Sequence, residues 1–525
     1  MACPASLGKR MILCLDGTWM DSDNGYQKSG LFSSHGTLQV PSNVTRISRC
    51  FKRRCSDGRL QIISYESGVG TGSSTVDTIT GGAFGLGLSE RVREAYSYLC
   101  ANYMDGDEIF LVGFSRGAFT ARSVAGMVSN LGLLTREGVE HFYIIFTDMQ
   151  HWQDDDYDDP YPTVPFPNKP KGPDAAREYR ARLEEMGYTR VWQGDGKLIK
   201  IKGVCVWDTV GSLGIPNITW LDKLGIRPCS TFRWHDTSLN NRIEHAFQAL
   251  ALDETRSPFS PAVWERANDE RDPTDLRQVW FPGNHGNCGG GWPDQGMANC
   301  TLAWMMDQMA SVGVEFDHDS LDRVIRQTSE YYETLAKTLR VPGPIWAIEP
   351  IYENNEPLRP WALGKIAADA SLLYKLAGET PRTPGMYKQI NPKTQRPTRH
   401  FLRDTNERIH SSVRVRLACQ GLGINDNGVW TCAALRRWRL KLTKQTFFDP
   451  IPGHPDWEPQ DRGRWVWEYV GSDREGPPSR RERIMVEEPL GPYEIYVLKL
   501  SGGHPNVYDF AGRRGPRRLN KSIGR

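Results

Sequence analysis

The stretch Glu108-Ile109-Phe110-Leu111-Val112-Gly113-Phe114-Ser115-Arg116-Gly117-Ala118 decides the fold. Its first half is a short apolar run bounded by polar residues, which reads as a buried strand. Its second half, Gly113 to Gly117, matches G-x-S-x-G. Beyond it, Ala118, Ala121, Ala125, Val128 and Leu131 recur at helical spacing, and Gly132 suits a helix stop. A strand that enters a serine and leaves as a helix has the geometry of a nucleophile elbow. The flanking glycines let the chain turn sharply, and the helix start brings backbone N–H groups toward developing negative charge. The competing reading is a tight strand–helix turn with an ordinary N-cap serine.

Outward from this stretch, four more runs read as strands: 10–15, 60–65, 198–207 and 276–281. Near-continuous apolar strands alternating with helices predict an α/β fold, α/β-hydrolase-like, with a mostly parallel sheet and helices on both faces. A helix is expected after the glycine-rich link 81–87, with Ser89 as N-cap and Leu88, Val92, Tyr96, Leu99 and Tyr103 on one face. Others are expected over 174–186 and 302–312, and a helix is also expected around His245. Between 135 and 197 the pattern breaks into an acid run (Asp154, Asp155, Asp156, Asp158, Asp159) and a proline-rich stretch, which predicts an insertion or lid over the sheet. That acid run lacks the glycine and distal glutamate of a calcium loop and reads as solvated. From about 400 the alternation of 413–417 and the strand-forming residues of 493–498 predict strands. The expected organisation is a catalytic domain over 1–315, a helical and loop-rich connection over 316–400, a β-containing C-terminal region over 401–512 and a basic tail over 513–525.

A serine hydroxyl needs a base, and in this fold the chain order is serine, acid, histidine, with both partners on loops after later strands. Of eleven histidines, His285 follows a strand closely, in Phe281-Pro282-Gly283-Asn284-His285-Gly286-Asn287. Asp208 directly follows the strand at 198–207, and Asp253 is the competing acid. The oxyanion is expected to meet the backbone N–H groups of Arg116, after the nucleophile, and of Gly17 and Thr18, after the first strand. Asp16 either supports the site or holds its loop. A phosphatase of the D-x-D-G-T kind is excluded, because Cys14 stands where its nucleophilic aspartate is needed.

Composition narrows the alternatives. Lys+Arg is 65 against 63 Asp+Glu in 525 residues, a balance that argues against nucleic acid as a partner. No CxxC or HExxH pattern occurs, so no metal site is expected. No apolar run reaches the ~18 residues of a membrane span, so membrane contact is expected to be at most peripheral. The first ten residues show no apolar core ahead of their charges, which predicts no secretory signal, reduced cysteines and a cytoplasmic location; the sequons at Asn43, Asn217, Asn299 and Asn520 then carry no weight.

Taken in order, LCLDGTW (13–19), PSNVTRI (41–47), YESGVGTG (65–72), GFSRGAFTAR (113–122), VWDTVGSLG (206–214), ALDE (251–254) and WFPGNHGNCGGGW (280–292) resemble an α/β-hydrolase family. That family includes the catalytic domain of bacterial type VI secretion phospholipase effectors and many fungal proteins. The resemblance covers roughly 10–315. It implies ester hydrolysis at a Ser-Asp-His site mapping onto Ser115, Asp208 and His285; such a mechanism requires no cofactor, and none is expected. One departure stands out: many relatives carry an acid before the glycines of the histidine loop, where this chain has Asn287. The expected function is cleavage of carboxylic esters, a lipase or phospholipase activity on a small-molecule or lipid ester. The alternative is a non-catalytic hydrolase-fold binding protein.

Overall fold

The computed structural model describes residues 7–17, 26–27, 37–38, 40–68, 81–210, 238–239, 241–266, 274–340, 346, 358–368, 378–391, 397–444, 463–472, 476–477, 483–502 and 506–513. Its centre is a ten-stranded sheet. In chain order the strands are β1 (Arg10–Leu15), β2 (Gln61–Glu66), β3 (Glu108–Phe114), β4 (Ile201–Trp207), β5 (Ile243–Ala251), β6 (Asp275–Phe281), β7 (Glu407–His410), β8 (Trp438–Thr443), β9 (Arg464–Tyr469) and β10 (Ile484–Glu488). They lie side by side as β8-β9-β10-β7-β6-β5-β4-β3-β1-β2. From β2 to β10 every pairing is parallel; β9 and β8 close the edge antiparallel.

Strand periodicity explains why both faces are covered. In β1, Ile12 and Cys14 join one apolar cluster and Met11, Leu13 and Leu15 another, because successive side chains point to opposite faces. The first cluster includes α1 (Asn43–Ser48) and the methionine-rich α7 (Gly296–Ser311); the second includes α2 (Gly81–Asn102) and α3 (Arg116–Leu131). Helices on two faces of a parallel sheet give the α/β fold expected from the sequence.

Four local expectations change. α2 begins at Gly81, so Ser89 lies inside the helix rather than capping it. His245 sits on β5, not on a helix: the segment is wedged between β4 and β6, and pairing on both sides overrides its helical residue types. Residues 413–417 lie on a helix, α9 (Ser411–Ala418), and 493–498 on another, α10 (Pro492–Leu500). The C-terminal region does contain strands, but they extend the same sheet, with β7 pairing to β6.

The segment 135–197 carries α4 (Phe142–Gln150) and α5 (Ala175–Glu185). Phe142, Ile145, Phe166, Tyr179 and Leu183 join the cluster under α3, and Arg180 donates to the carbonyls of Ser129 and Asn130. Those carbonyls lie at the end of α3 opposite Ser115, so these contacts anchor the insertion to that end of the helix. Its acid run is partly paired, with Lys169 bridging Asp148 and Asp159.

Candidate active site

Ser115 stands between the last residue of β3 and the first of α3 with φ 58 and ψ −119, a conformation costly for a residue with a Cβ. The turn is held by close backbone approach. A Cβ on Gly117 would come within 2.0 Å of the Leu15 carbonyl oxygen, and one on Gly113 within 2.6 Å of the Gly117 oxygen. Only glycine fits either place, so G-x-S-x-G has a steric cause here. The Ser115 N–H donates to the Trp207 carbonyl at 3.1 Å, tying the elbow to β4.

Asp208 follows β4 immediately and His285 lies four residues beyond β6. The sheet order brings both beside Ser115 at the carboxyl ends of the strands, where ligand crevices form in parallel sheets. The Ser115 Oγ is 2.8 Å from His285 Nε2, and His285 Nδ1 is 2.7 Å from Asp208 Oδ2. Asp208 is 0% exposed, and Ser115 and His285 are 8% and 7% exposed. A carboxylate only accepts, so Nδ1 carries the imidazole proton and Nε2 is left to accept from the serine. The rings of Phe114 and Phe259 flank the imidazole at 4.6 and 4.9 Å.

The histidine is positioned by local capping. Asn284 caps the short helix α6 (His285–Gly289), its side chain accepting from Asn287 N–H while the Asn287 side chain accepts from Asn284 N–H. The Asn287 amide also donates to the Lys365 carbonyl at 2.9 Å, a bond a carboxylate could not make. Asn284 likewise reaches the Ala367 carbonyl. Asp253, the competing acid, faces elsewhere: it accepts from Gly283 N–H at 2.6 Å and Trp430 Nε1 at 3.0 Å. Its neighbour Glu254 accepts from His285 N–H at 3.2 Å and is paired with Arg256.

The loop after β1 differs from expectation in one respect. The Gly17 N–H donates to Asp16 Oδ1 at 2.6 Å, so it is already engaged and not presented to an oxyanion. The Asp16 carboxylate also gathers the hydroxyls of Ser42, Thr45 and Tyr65, each at 2.7 Å. Burial pushes its carboxyl above the usual range despite these donors. Asp16 therefore fastens its own loop. Thr18 lies outside the described residues. Arg116 opens α3, and first-turn N–H groups project along the axis beyond a helix's N-terminus.

Burial would raise the Asp208 carboxyl, but the Arg382 guanidinium and then His285 outweigh it and hold the group below the ordinary carboxylate range. Arg382 was not singled out by the sequence; it sits in Pro381-Arg382-Thr383-Pro384, far from any motif. Glu254 lies in the ALDE stretch, where spacing alone assigns it no role. A second serine–histidine–acid set exists, Ser412, His410 and Glu494, with bonds of 2.7 and 2.5 Å. All three are 1% exposed or less, and burial drives the His410 pKa down to about 3. It joins α9 to α10 inside the core and is closed to substrate. Among the described residues no group of three or more His, Cys, Asp or Glu side chains is arranged to hold a metal, and no helix is long and apolar enough to cross a membrane.

Residues 9–308 match the family described as type VI secretion system phospholipase effector Tle1-like, catalytic domain. A curated relative, uncharacterized protein YEL023C of Saccharomyces cerevisiae, is 26% identical over 268 residues, covering 49% of this chain. The match spans 32% of that relative's length. With more than half of its residues matched by the family and the elbow, acid and histidine loop all inside that span, this chain belongs to the Tle1-like phospholipase effector catalytic-domain family.

Proposed function

We propose that the protein hydrolyses carboxylic esters, lipid esters among them, by covalent catalysis at Ser115. The observation that carries this reading is the hydrogen-bonded line Ser115–His285–Asp208 at the carboxyl ends of parallel strands, beginning at a strained serine. His285 Nε2 takes the Ser115 hydroxyl proton as Oγ bonds to the acyl carbon, and the carbonyl oxygen becomes an anion. The Arg116 N–H, at the start of α3, stabilises that charge. When the tetrahedral centre collapses, His285 returns the proton to the departing alkoxide and the alcohol leaves. Water then attacks the acyl-enzyme with the same base, releasing the acid and restoring Ser115. Asp208 keeps Nδ1–H aimed and balances the imidazolium.

The family's description names a phospholipase effector, which directs the substrate reading to lipid esters. Phe114 and Phe259 beside the imidazole suit an acyl group more than a charged one. The test is a fluorophosphonate probe followed by nitrophenyl esters of increasing chain length, phospholipid vesicles and a peptide amide. Labelling of Ser115 and faster turnover of longer acyl chains or phospholipid are expected. Turnover restricted to acetyl esters would leave a small-ester hydrolase. No labelling and no turnover of any ester would instead favour a binding protein on a hydrolase fold.

A further inference from the structure

Arg382 reaches the site from residues beyond the family-matched 9–308. It is 3% exposed and its guanidinium spans the Asp208 carboxylate, with 3.3 Å to Oδ1 and 3.1 Å to Oδ2. The same guanidinium donates to the Phe259 carbonyl at 2.6 Å, fixing the backbone that carries the ring against His285. Asp208 thus receives four hydrogen bonds from three segments: one from His285, one from Ala251 N–H at 3.1 Å, and two from Arg382, itself braced on Phe259.

The arginine is held as firmly as the groups it touches. Thr380 N–H donates to the Thr255 carbonyl at 2.7 Å, Ser257 N–H to the Gly378 carbonyl at 3.1 Å, and Gly385 N–H to Glu407 at 2.8 Å. The segment 378–385 is therefore pinned both to the loop after β5 and to β7. Asn284 and Asn287 make parallel attachments to Ala367 and Lys365. The acid and the histidine loop are both fastened by residues the family match does not include.

We propose that Arg382 is a positioning residue of this site, keeping Asp208 ionised and aimed so that the Asp208–His285 pair resists taking up a proton. The inference rests on the hydrolase reading above. Its physical basis is that a carboxylate wholly removed from water is costly unless fully compensated. One backbone N–H and a neutral imidazole leave most of the charge unbalanced, whereas a fork of two N–H groups supplies a full counter-charge in the right plane. The other groups facing the pair are Glu254, paired with Arg256, the Cys288 thiol, whose pKa is raised by burial and then by Asp208, and Tyr387, which stands against the guanidinium. Phe114 and Phe259 bring no charge. Without Arg382, whose charge offsets the burial of the carboxylate, Asp208 gains a proton more readily.

The experiment measures kcat/KM against pH with a nitrophenyl ester, using the full chain and its Arg382→Met and Arg382→Lys variants, with fluorophosphonate labelling alongside. For Arg382→Met the acid limb should move up by about one pH unit and the plateau should fall about tenfold. Arg382→Lys keeps the charge but loses the fork, so the limb should stay within about 0.3 unit while the plateau falls. A folded Arg382→Met variant whose limb stays in place overturns the inference, whatever its plateau, because a merely structural role lowers rate without moving the limb. Should Arg382→Met fail to fold, Arg382→Lys is compared alone and combined with Asp208→Asn. A loss that largely vanishes in the Asp208→Asn background supports action through Asp208, and full additivity overturns it. A wild-type chain that neither labels nor hydrolyses any ester overturns the hydrolase reading and this inference together; an active wild type with unmoved variants overturns only the inference.

Discussion

At the scale of single residues, the strain at Ser115 and the line it begins make separable predictions. Ser115→Ala should abolish probe labelling and cost at least ~10³-fold in kcat, His285→Ala nearly as much and Asp208→Asn somewhat less, since such residues act as a unit. The backbone at φ 58 and ψ −119 should be felt in stability as well. Both Ser115→Ala and Ser115→Gly remove the hydroxyl, so their difference isolates the conformation. Glycine should be more stable than alanine by about 1 kcal/mol in denaturant unfolding, despite its greater chain entropy; equal stabilities would mean the turn is unstrained. Ser115, Asp208 and His285 were legible because each directly or closely follows a buried strand, and strand ends converge in a parallel sheet. Asp253 too follows a strand, β5, although its sequence reads as helical. The difference lies in where the carboxylates point, toward Gly283 and Trp430 in one case and His285 in the other, which spacing does not encode.

Elements respond to their caps and neighbours, and α10 is the clearest case. Pro492 occupies its first turn, Glu494 caps back to Gly491 N–H at 3.0 Å, and the Asp307 carboxylate from α7 accepts the N–H groups of Tyr493 and Glu494, both at 2.9 Å. Burial, then the nearby Glu494, pushes the Asp307 pKa up to about 8. A carboxyl raised above its unfolded value of about 4 binds more protons in the folded state, so stability falls as pH rises between those values. The thermal midpoint should drop by roughly 2 °C or more from pH 5 to 8, and Asp307→Asn should flatten that slope; an identical slope in the variant would refute the assignment. Reading α10 as a strand followed its Tyr, Ile and Val content, although Pro492 and Glu494 are helix-start signals. In α9 the alternation misled for another reason. Arg414 and Arg416 are buried, one paired with Glu487 and the other bonded to the carbonyls of Ala362, Gly364 and Leu422, so charge at alternate positions did not mark an exposed face. β1, β3, β4 and β6 were readable because burial on both faces leaves little but apolar residues, and β2, a half-exposed edge strand, from its short apolar run.

For the molecule as a whole, the question is whether the family-matched part can stand without the rest. The sheet argues that it cannot. β6 pairs with β7, and β7 with β10, so a chain ended near 315 would expose β6 as an open parallel edge carrying Val279, Trp280 and Phe281, an invitation to aggregation. The apolar cluster on that face runs without a break from Ile12 and Val112 to Val413, Trp430, Leu435, Trp467 and Val497. Cutting it would bare large side chains and leave buried donors behind: Trp280 Nε1 bonds Glu407 at 2.9 Å and Trp304 Nε1 bonds Glu488 at 3.2 Å, each worth roughly 1–3 kcal/mol if orphaned. Asp253 would lose Trp430, and Asp208 would lose Arg382. A sequence cannot announce such a merger, because strands that share a sheet need no common texture along the chain. Residues 1–315 expressed alone should therefore be insoluble, or soluble but unlabelled by the probe and digested by protease within minutes under conditions where the full chain survives. A monodisperse 1–315 fragment that labels at Ser115 at the full-length rate would show the C-terminal strands to be an addition rather than part of the fold.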